Sequence, residues 1–175
     1  AWGESYLPTE NVTYGIEVND VGEKIGFQNG DKILTVDNQY IDNFAKIIPT
    51  IVLDAAKTVQ VERDGKKIDV EISDADLALL LKSKDVISPR FPFDIKIGAL
   101  EKDYPAQLAG VQKNDEIINV DGKTFEYYDQ FREYIKSKAN ENIEVNLKRD
   151  GQNISKQIVV NEEGKIGFLP ALNHP

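Results

Sequence analysis

Cysteine and methionine are both absent from this 175-residue chain, and histidine and tryptophan occur once each, as His174 and Trp2. Without cysteine there are no disulfides, no thiolate metal sites and no cysteine nucleophiles. One histidine beside the C-terminus does not supply a hydrolytic zinc site or a Ser-His-Asp triad. The sequence therefore predicts no catalytic residues, no metal ligands and no cofactor within it. Long apolar runs are missing too. The longest is Leu77 to Leu81, far short of the roughly 20 residues that cross a membrane. The lack of methionine even at position 1, with no signal-peptide pattern, predicts an internal piece of a longer chain. Positive charge is also scarce: 21 Lys and Arg against 30 Asp and Glu give a net charge of −9. Nucleic acid is excluded as a partner on this ground, because phosphate binding rests on Lys and Arg displacing counterions.

What the chain does contain is a repeat. Residues 26–38 align with 110–122 at an offset of 84, with Gly26, Gln28, Asp31, Ile33, Val36 and Asp37 each matched by an identical residue. Further on, Arg63-Asp64-Gly65 matches Arg149-Asp150-Gly151 at an offset of 86. Two blocks in the same order indicate a duplicated domain.

Each copy predicts the same elements. A first strand (14–18; 95–100) leads to a helical turn ending at Gly26 or Gly110. A second strand follows (32–36; 116–120), then a helix, then a hairpin turning at Asp64-Gly65 or Asp150-Gly151. Asp-Gly between alternating apolar strands favours a type I′ turn, which needs positive φ at both central residues. In the second copy Phe125, Tyr128, Phe131 and Ile135 share one helical face. In the first copy Ile41, Phe44, Ile47 and Ile51 correspond, but Pro49 interrupts them, so the helix is expected to start near Pro49 and to be short. Between the copies, Ser73 or Asp74 can cap a helix over 75–84 with Leu77, Leu80 and Leu81 on one side. Beyond it, Ser88-Pro89-Arg90-Phe91-Pro92-Phe93 reads as a stiff extended crossing.

Tyr104-Pro105-Ala106-Gln107-Leu108-Ala109-Gly110-Val111, with Asn114-Asp115-Glu116-Ile117-Ile118-Asn119-Val120-Asp121-Gly122 soon after, resembles the bacterial PDZ signature. The resemblance implies an α+β, mainly β fold: two tandem PDZ-like domains of the circularly permuted bacterial type, each a small partly open barrel or sandwich with two short helices. The expected division is residues 1–74 for the first domain, 75–94 for a linker helix and proline-rich crossing whose strand joins the second domain, 95–162 for the second domain, and 163–175 for a returning segment. The tandem arrangement, the joint at 89–93, Gly164-Lys165-Ile166-Gly167-Phe168-Leu169-Pro170 and the opening Trp2-Gly3-Glu4-Ser5-Tyr6-Leu7-Pro8-Thr9 are together similar to the extracytoplasmic segment of RseP-type site-2 proteases, the bacterial intramembrane zinc metalloproteases. That likeness implies zinc in the parent protein although none here, a parent embedded in the bacterial inner membrane with this segment periplasmic, and a role in regulated intramembrane proteolysis of the stress-response, anti-sigma-factor type. The HtrA-type periplasmic serine proteases, which carry similar domains, and a non-enzymatic peptide-binding adaptor remain alternatives.

PDZ domains take up extended peptides by strand addition at a sheet edge, often with the terminal carboxylate on the amides of a Φ-G-Φ loop, Φ being apolar. The resemblance thus implies a polypeptide partner, an extended segment or a trimmed C-terminus of a membrane protein. It maps the second groove onto Val86, Ile87, Ser88 and Arg90 of a strand and onto Tyr128, Phe131, Arg132 and Ile135 of the helix, and the first groove onto Phe44, Ile47, Ile48 and Ile51. Val86 stands where the loop glycine is expected and resists positive φ, which predicts weak peptide binding. Ile166-Gly167-Phe168 has the Φ-G-Φ form but follows the second domain. Trp2 and Tyr6 are candidates for a membrane interface, where amphipathic rings collect.

Overall fold

The structure, a computed structural model, describes residues 6–94 and 96–171, so Trp2 and His174 lie outside the described residues. The chain divides into two units, residues 1–90 and 91–175, each with its own apolar core.

In the first unit a 3-10 turn at Thr9–Asn11 precedes β1 (Ile16–Val18), α1 (Asp20–Ile25) and β2 (Lys32–Val36). A second 3-10 turn, Phe44–Lys46, runs into α2 (Ile47–Leu53), followed by β3 (Thr58–Arg63), β4 (Lys66–Glu71), α3 (Asp74–Lys82) and β5 (Ile87–Pro89). The second unit holds β6 (Lys96–Leu100), α4 (Pro105–Leu108), β7 (Glu116–Val120), α5 (Tyr128–Ser137), β8 (Asn142–Arg149), β9 (Gln152–Val159) and β10 (Phe168–Ala171). The expected fold class, mainly β with short helices, is the one observed.

The strands pair alike in both. In the first unit β2-β3-β4 form one antiparallel sheet and β1 pairs with β5. In the second, one sheet runs β10-β6-β7-β8-β9. The Ile16 amide donates to Asp31 O at 2.8 Å while Gly30 N–H donates to Ile16 O at 2.7 Å, and Ile97 makes the same pair of bonds with Asp115 and Asn114, both at 2.8 Å. Ile16 and Ile97 are thus equivalent. The hairpins turn as expected, with positive φ at Asp64 (52°) and Gly65 (77°) and at Asp150 (50°) and Gly151 (79°).

A buried ion pair locks each copy. Arg63 Nε and Nη2 donate to the two carboxylate oxygens of Asp31, each at 2.8 Å, and Nη2 also reaches Gly26 O at 2.9 Å. Arg149 repeats this on Asp115 at 2.8 Å twice and on Gly110 O at 3.0 Å. The two aspartates are each 1% exposed. A fork-to-fork pair of this kind ties the hairpin to the turn that ends the first helix and leaves no carboxylate lone pair stranded in the core.

Two expectations are corrected. The joint at 75–94 is not a linker: α3 and β5 belong to the first unit, which extends to residue 90. The reason is long-range pairing, since β5 lies antiparallel to β1 with Ile87 opposite Val18 and Pro89 opposite Ile16, while Leu80, Val86 and Ile87 are buried in the first core. Within α3, capped by reciprocal Ser73 and Asp76 bonds, Leu80 and Leu77 pack inward but Leu81 is 71% exposed. Likewise the segment 163–175 does not simply leave the second unit, because 168–171 form β10 on β6. As expected, α2 starts near Pro49, at Ile47, and is short, seven residues against ten in α5. Pro49 falls in the first turn, where helix N–H groups have no intrahelical acceptor, so its missing donor costs nothing there.

Candidate functional site

The candidate site is the end strand β10, whose counterpart in the first unit is β5. β10 is the last strand of its sheet. Phe168 on it lies 6.0 Å from Phe131 of α5, ring centre to ring centre, which seats the helix along the strand. The Phe131 ring also meets Phe93, Phe125 and Tyr128 at 5.2, 5.8 and 5.7 Å. Burial pushes the Tyr128 phenol up to about 12. One turn along the helix the Arg132 guanidinium lies 5.2 Å from the Tyr128 ring, a cation–π distance, and partial desolvation there lowers its pKa from the ordinary arginine value.

The approach to β10 is set by Gly167. Its φ is +81°, and a Cβ placed on it would stand 2.2 Å from Tyr104 Cβ. Glycine is required twice over, by backbone angle and by space. Gly167 O accepts from Glu101 N–H at 3.1 Å and Ile166 O from Ala106 N–H at 2.8 Å, so the loop is anchored to both ends of the segment leading into α4. Among the described residues the Gly167 amide donates no hydrogen bond.

In the first unit Asn19 N–H donates to Val86 O at 3.1 Å, so Val86 is the counterpart of Gly167. The positive φ falls one residue earlier, at Asp85 (54°), and Val86 is buried. The connection into the edge strand also differs in length. Fifteen residues, 72–86, separate β4 from β5 (87 − 71 − 1), whereas eight, 160–167, separate β9 from β10 (168 − 159 − 1). The longer one carries α3, which packs on α1 and α2.

The residues expected to line one groove are therefore split between two. Val86, Ile87, Ser88 and Arg90 sit on the first unit, where Arg90 N–H donates to Gly15 O at 2.9 Å, and Tyr128, Phe131, Arg132 and Ile135 sit on α5 of the second. Of the latter, Phe131 and Ile135 are core, at 2% and 3% exposure. In the first set Phe44, Ile47 and Ile51 are also core and Ile48 is partly buried against it. Phe44 additionally borders a cavity of about 340 Å³ with Thr9, Val12, Ile16, Lys32 and Leu34. The edge strand itself, Phe168 to Ala171, and its loop glycine escaped the sequence-based groove. The signal was present in Ile166-Gly167-Phe168, and more sharply in Pro89 and Pro170, which stand 81 residues apart just as Ile16 and Ile97 do.

Residues 96–149 match the family model described as PDZ domain. That match lies wholly within the second unit. Over longer spans the chain is 25% identical to a Borreliella burgdorferi protein named "Putative zinc metalloprotease", across 152 residues that make up 83% of this chain and 33% of that one. It is 27% identical across 146 residues to a Neisseria meningitidis protein of the same name, covering 78% of this chain and 32% of that one. The chain thus spans about a third of the length of these relatives. Among solved structures, the PDZ domain of an SdrC-like protein from Listeria innocua is 26% identical, covers 46% of this chain and 97% of its own, and superposes with a TM-score of 0.40. Among the described residues no group of three His, Asp or Glu side chains is placed to hold a metal, and no helix is long and apolar enough to cross a membrane.

Proposed function

We propose that this chain is the polypeptide-binding, substrate-gating segment of a membrane-embedded zinc metalloprotease of the site-2 type, lying outside the cytoplasm and acting in regulated intramembrane proteolysis. Zinc and the catalytic residues then belong to other parts of the parent protein. The observation that carries the reading is the Gly167 loop feeding an end strand beside α5. An extended peptide added along β10 continues the sheet, and its terminal carboxylate meets the Gly167 amide, which donates no hydrogen bond among the described residues. Similarity to zinc metalloproteases over about four-fifths of the chain supports the choice of parent. In this reading the second unit samples the ends of membrane proteins whose outer portion has been trimmed. Deleting residues 91–171 from the full-length protease is expected to let it cut untrimmed substrates, while unchanged selectivity would overturn the gating role. Backbone amide shifts in the 166–171 segment on addition of a peptide with a free apolar C-terminus test the binding role directly.

A further inference from the structure

The sheet of the second unit has two ends, and the end away from β10 is the strand β9. β9 is eight residues long and pairs with β8 along its whole length without a register shift. Just past it, Val160 N–H donates to Glu141 O at 2.9 Å and Val160 O accepts from Asn140 N–H at 3.0 Å. Alternate residues of a paired strand direct their N–H and C=O groups to the same side. Residues 154, 156 and 158 therefore face β8 with Val160, while Asn153, Ser155, Gln157 and Val159 present their main chain to the open side. Among the described residues no strand or bridge pairs with that side, and all four side chains are exposed.

Sheet edges are ordinarily blunted by charge, proline or brevity. β10 has four residues and includes Pro170. β4, the counterpart of β9 in the first unit, turns Lys67, Asp69 and Glu71 outward by the same alternation, counted from Ile72, whose N–H donates to Lys57 O at 2.8 Å. The outward row of β9 carries neither charge nor proline, in a chain of net charge −9. The strand's one lysine, Lys156, turns back onto its own unit, where a Cβ placed on Gly110 would stand 3.1 Å from its Nζ. The row is also complementary to itself. Set antiparallel to a second copy about a two-fold axis at Ser155, it brings Ser155 opposite Ser155 and Asn153 opposite Gln157, pairs whose hydroxyl and amide groups hydrogen-bond each other. Lys156 then falls opposite the second copy's Ile154, so no like charges meet.

We propose that the β9 edge is a self-association site, at which two copies of this chain join antiparallel through residues 153–157 into one continuous sheet. Such a pair uses the same patch on both copies and closes on itself. It leaves β10 open and stands whether or not that strand binds peptides. One strand from each copy buries far less than the ~1,200 Å² of a stable interface, so the dimer is weak and depends on concentration.

The experiment follows the 175-residue chain by sedimentation velocity from about 10 μM to about 1 mM, the range of weak association, with amide hydrogen exchange at both ends of that range. The mass is expected to rise from monomer to dimer, and the amides of Asn153, Ser155 and Gln157 to exchange more slowly at the high concentration while those of Lys67, Asp69 and Glu71 do not change. Two variants test the register. Ser155→Lys sets like charges opposite each other, and Ser155→Pro removes an outward donor without touching the bonds to β8. Each is expected to weaken the dimer about tenfold or more. A chain that stays monomeric throughout, a dimer equally strong in both folded variants, or slowed exchange at 168–171 in place of 153–157 overturns the inference. Should the variants fail to fold, the wild-type exchange pattern decides alone.

Discussion

The first and second units share a strand order, an Arg-Asp lock and an edge proline, yet differ where a ligand would enter. Gly167 opens the second edge with a positive φ and an amide that has no other acceptor among the described residues. Val86 closes the first: it is buried, it lacks the left-handed backbone, and the chain arrives through fifteen residues including a capped helix instead of eight. The lesson is that duplication preserved what holds each unit together and released what each unit touches. Packing and ion pairing constrain every copy alike, whereas a loop at the sheet edge is constrained only by its ligand.

The shared part should break first and equally. Arg149→Ala and Arg63→Ala each leave a buried carboxylate without its guanidinium, and the loss is read as a lowered urea midpoint for the unit concerned. A large loss in one unit only would show that the two locks are not equivalent.

Next in size is Gly167→Ala. The added Cβ meets Tyr104 and holds an alanine at φ +81°, which together cost on the order of 2 to 3 kcal/mol. It is expected to abolish the response of the 166–171 amides to peptide, whereas Val86→Gly in the first unit creates no such response, since the positive φ there lies on Asp85. A peptide response gained by Val86→Gly would dissolve the contrast between the units.

Acid should then weaken the second lock. Burial alone would raise the Asp115 pKa, but the Arg149 guanidinium and the Gln112 N–H outweigh it, so the carboxyl sits below its ordinary value. Because the folded pKa is depressed, the stability this group contributes is fully present above the unfolded value near ~3.9 and is lost as pH falls through the folded one. Second-unit stability is expected to hold down to about pH 4 and to fall below it, and the Asp115→Asn variant should flatten that fall in urea titrations at successive pH values.

The smallest effect separates the units again. Ser73→Ala removes one half of the α3 capping box and should cost the first unit about 1 kcal/mol, with the second unit's urea midpoint unmoved.

Much of this was legible residue by residue. The Asp-Gly hairpins and the Ser73 cap follow from local geometry, and so does the repeat that announces two like units. The groove was only half legible. Its helix α5 could be placed from the spacing of Phe131 and Ile135, although these two turned out to fill the core. The strand facing that helix could not be placed, because Val86-Ile87-Ser88-Pro89 and Gly167-Phe168-Leu169-Pro170 are both short extended segments after a hairpin, and each lies closer in sequence to a wrong partner than its true partner does. Val86 is ten residues from Lys96 but 68 from Val18.

Turn chemistry, helix caps and the alternation of apolar residues act over a few positions, so the chain alone dictated the elements, their order and their duplication. Which sheet received each edge strand was decided by tertiary structure. An edge strand gains its free energy from hydrogen bonds and burial against residues far away in the chain, and those exist only once the rest of the unit has folded around it.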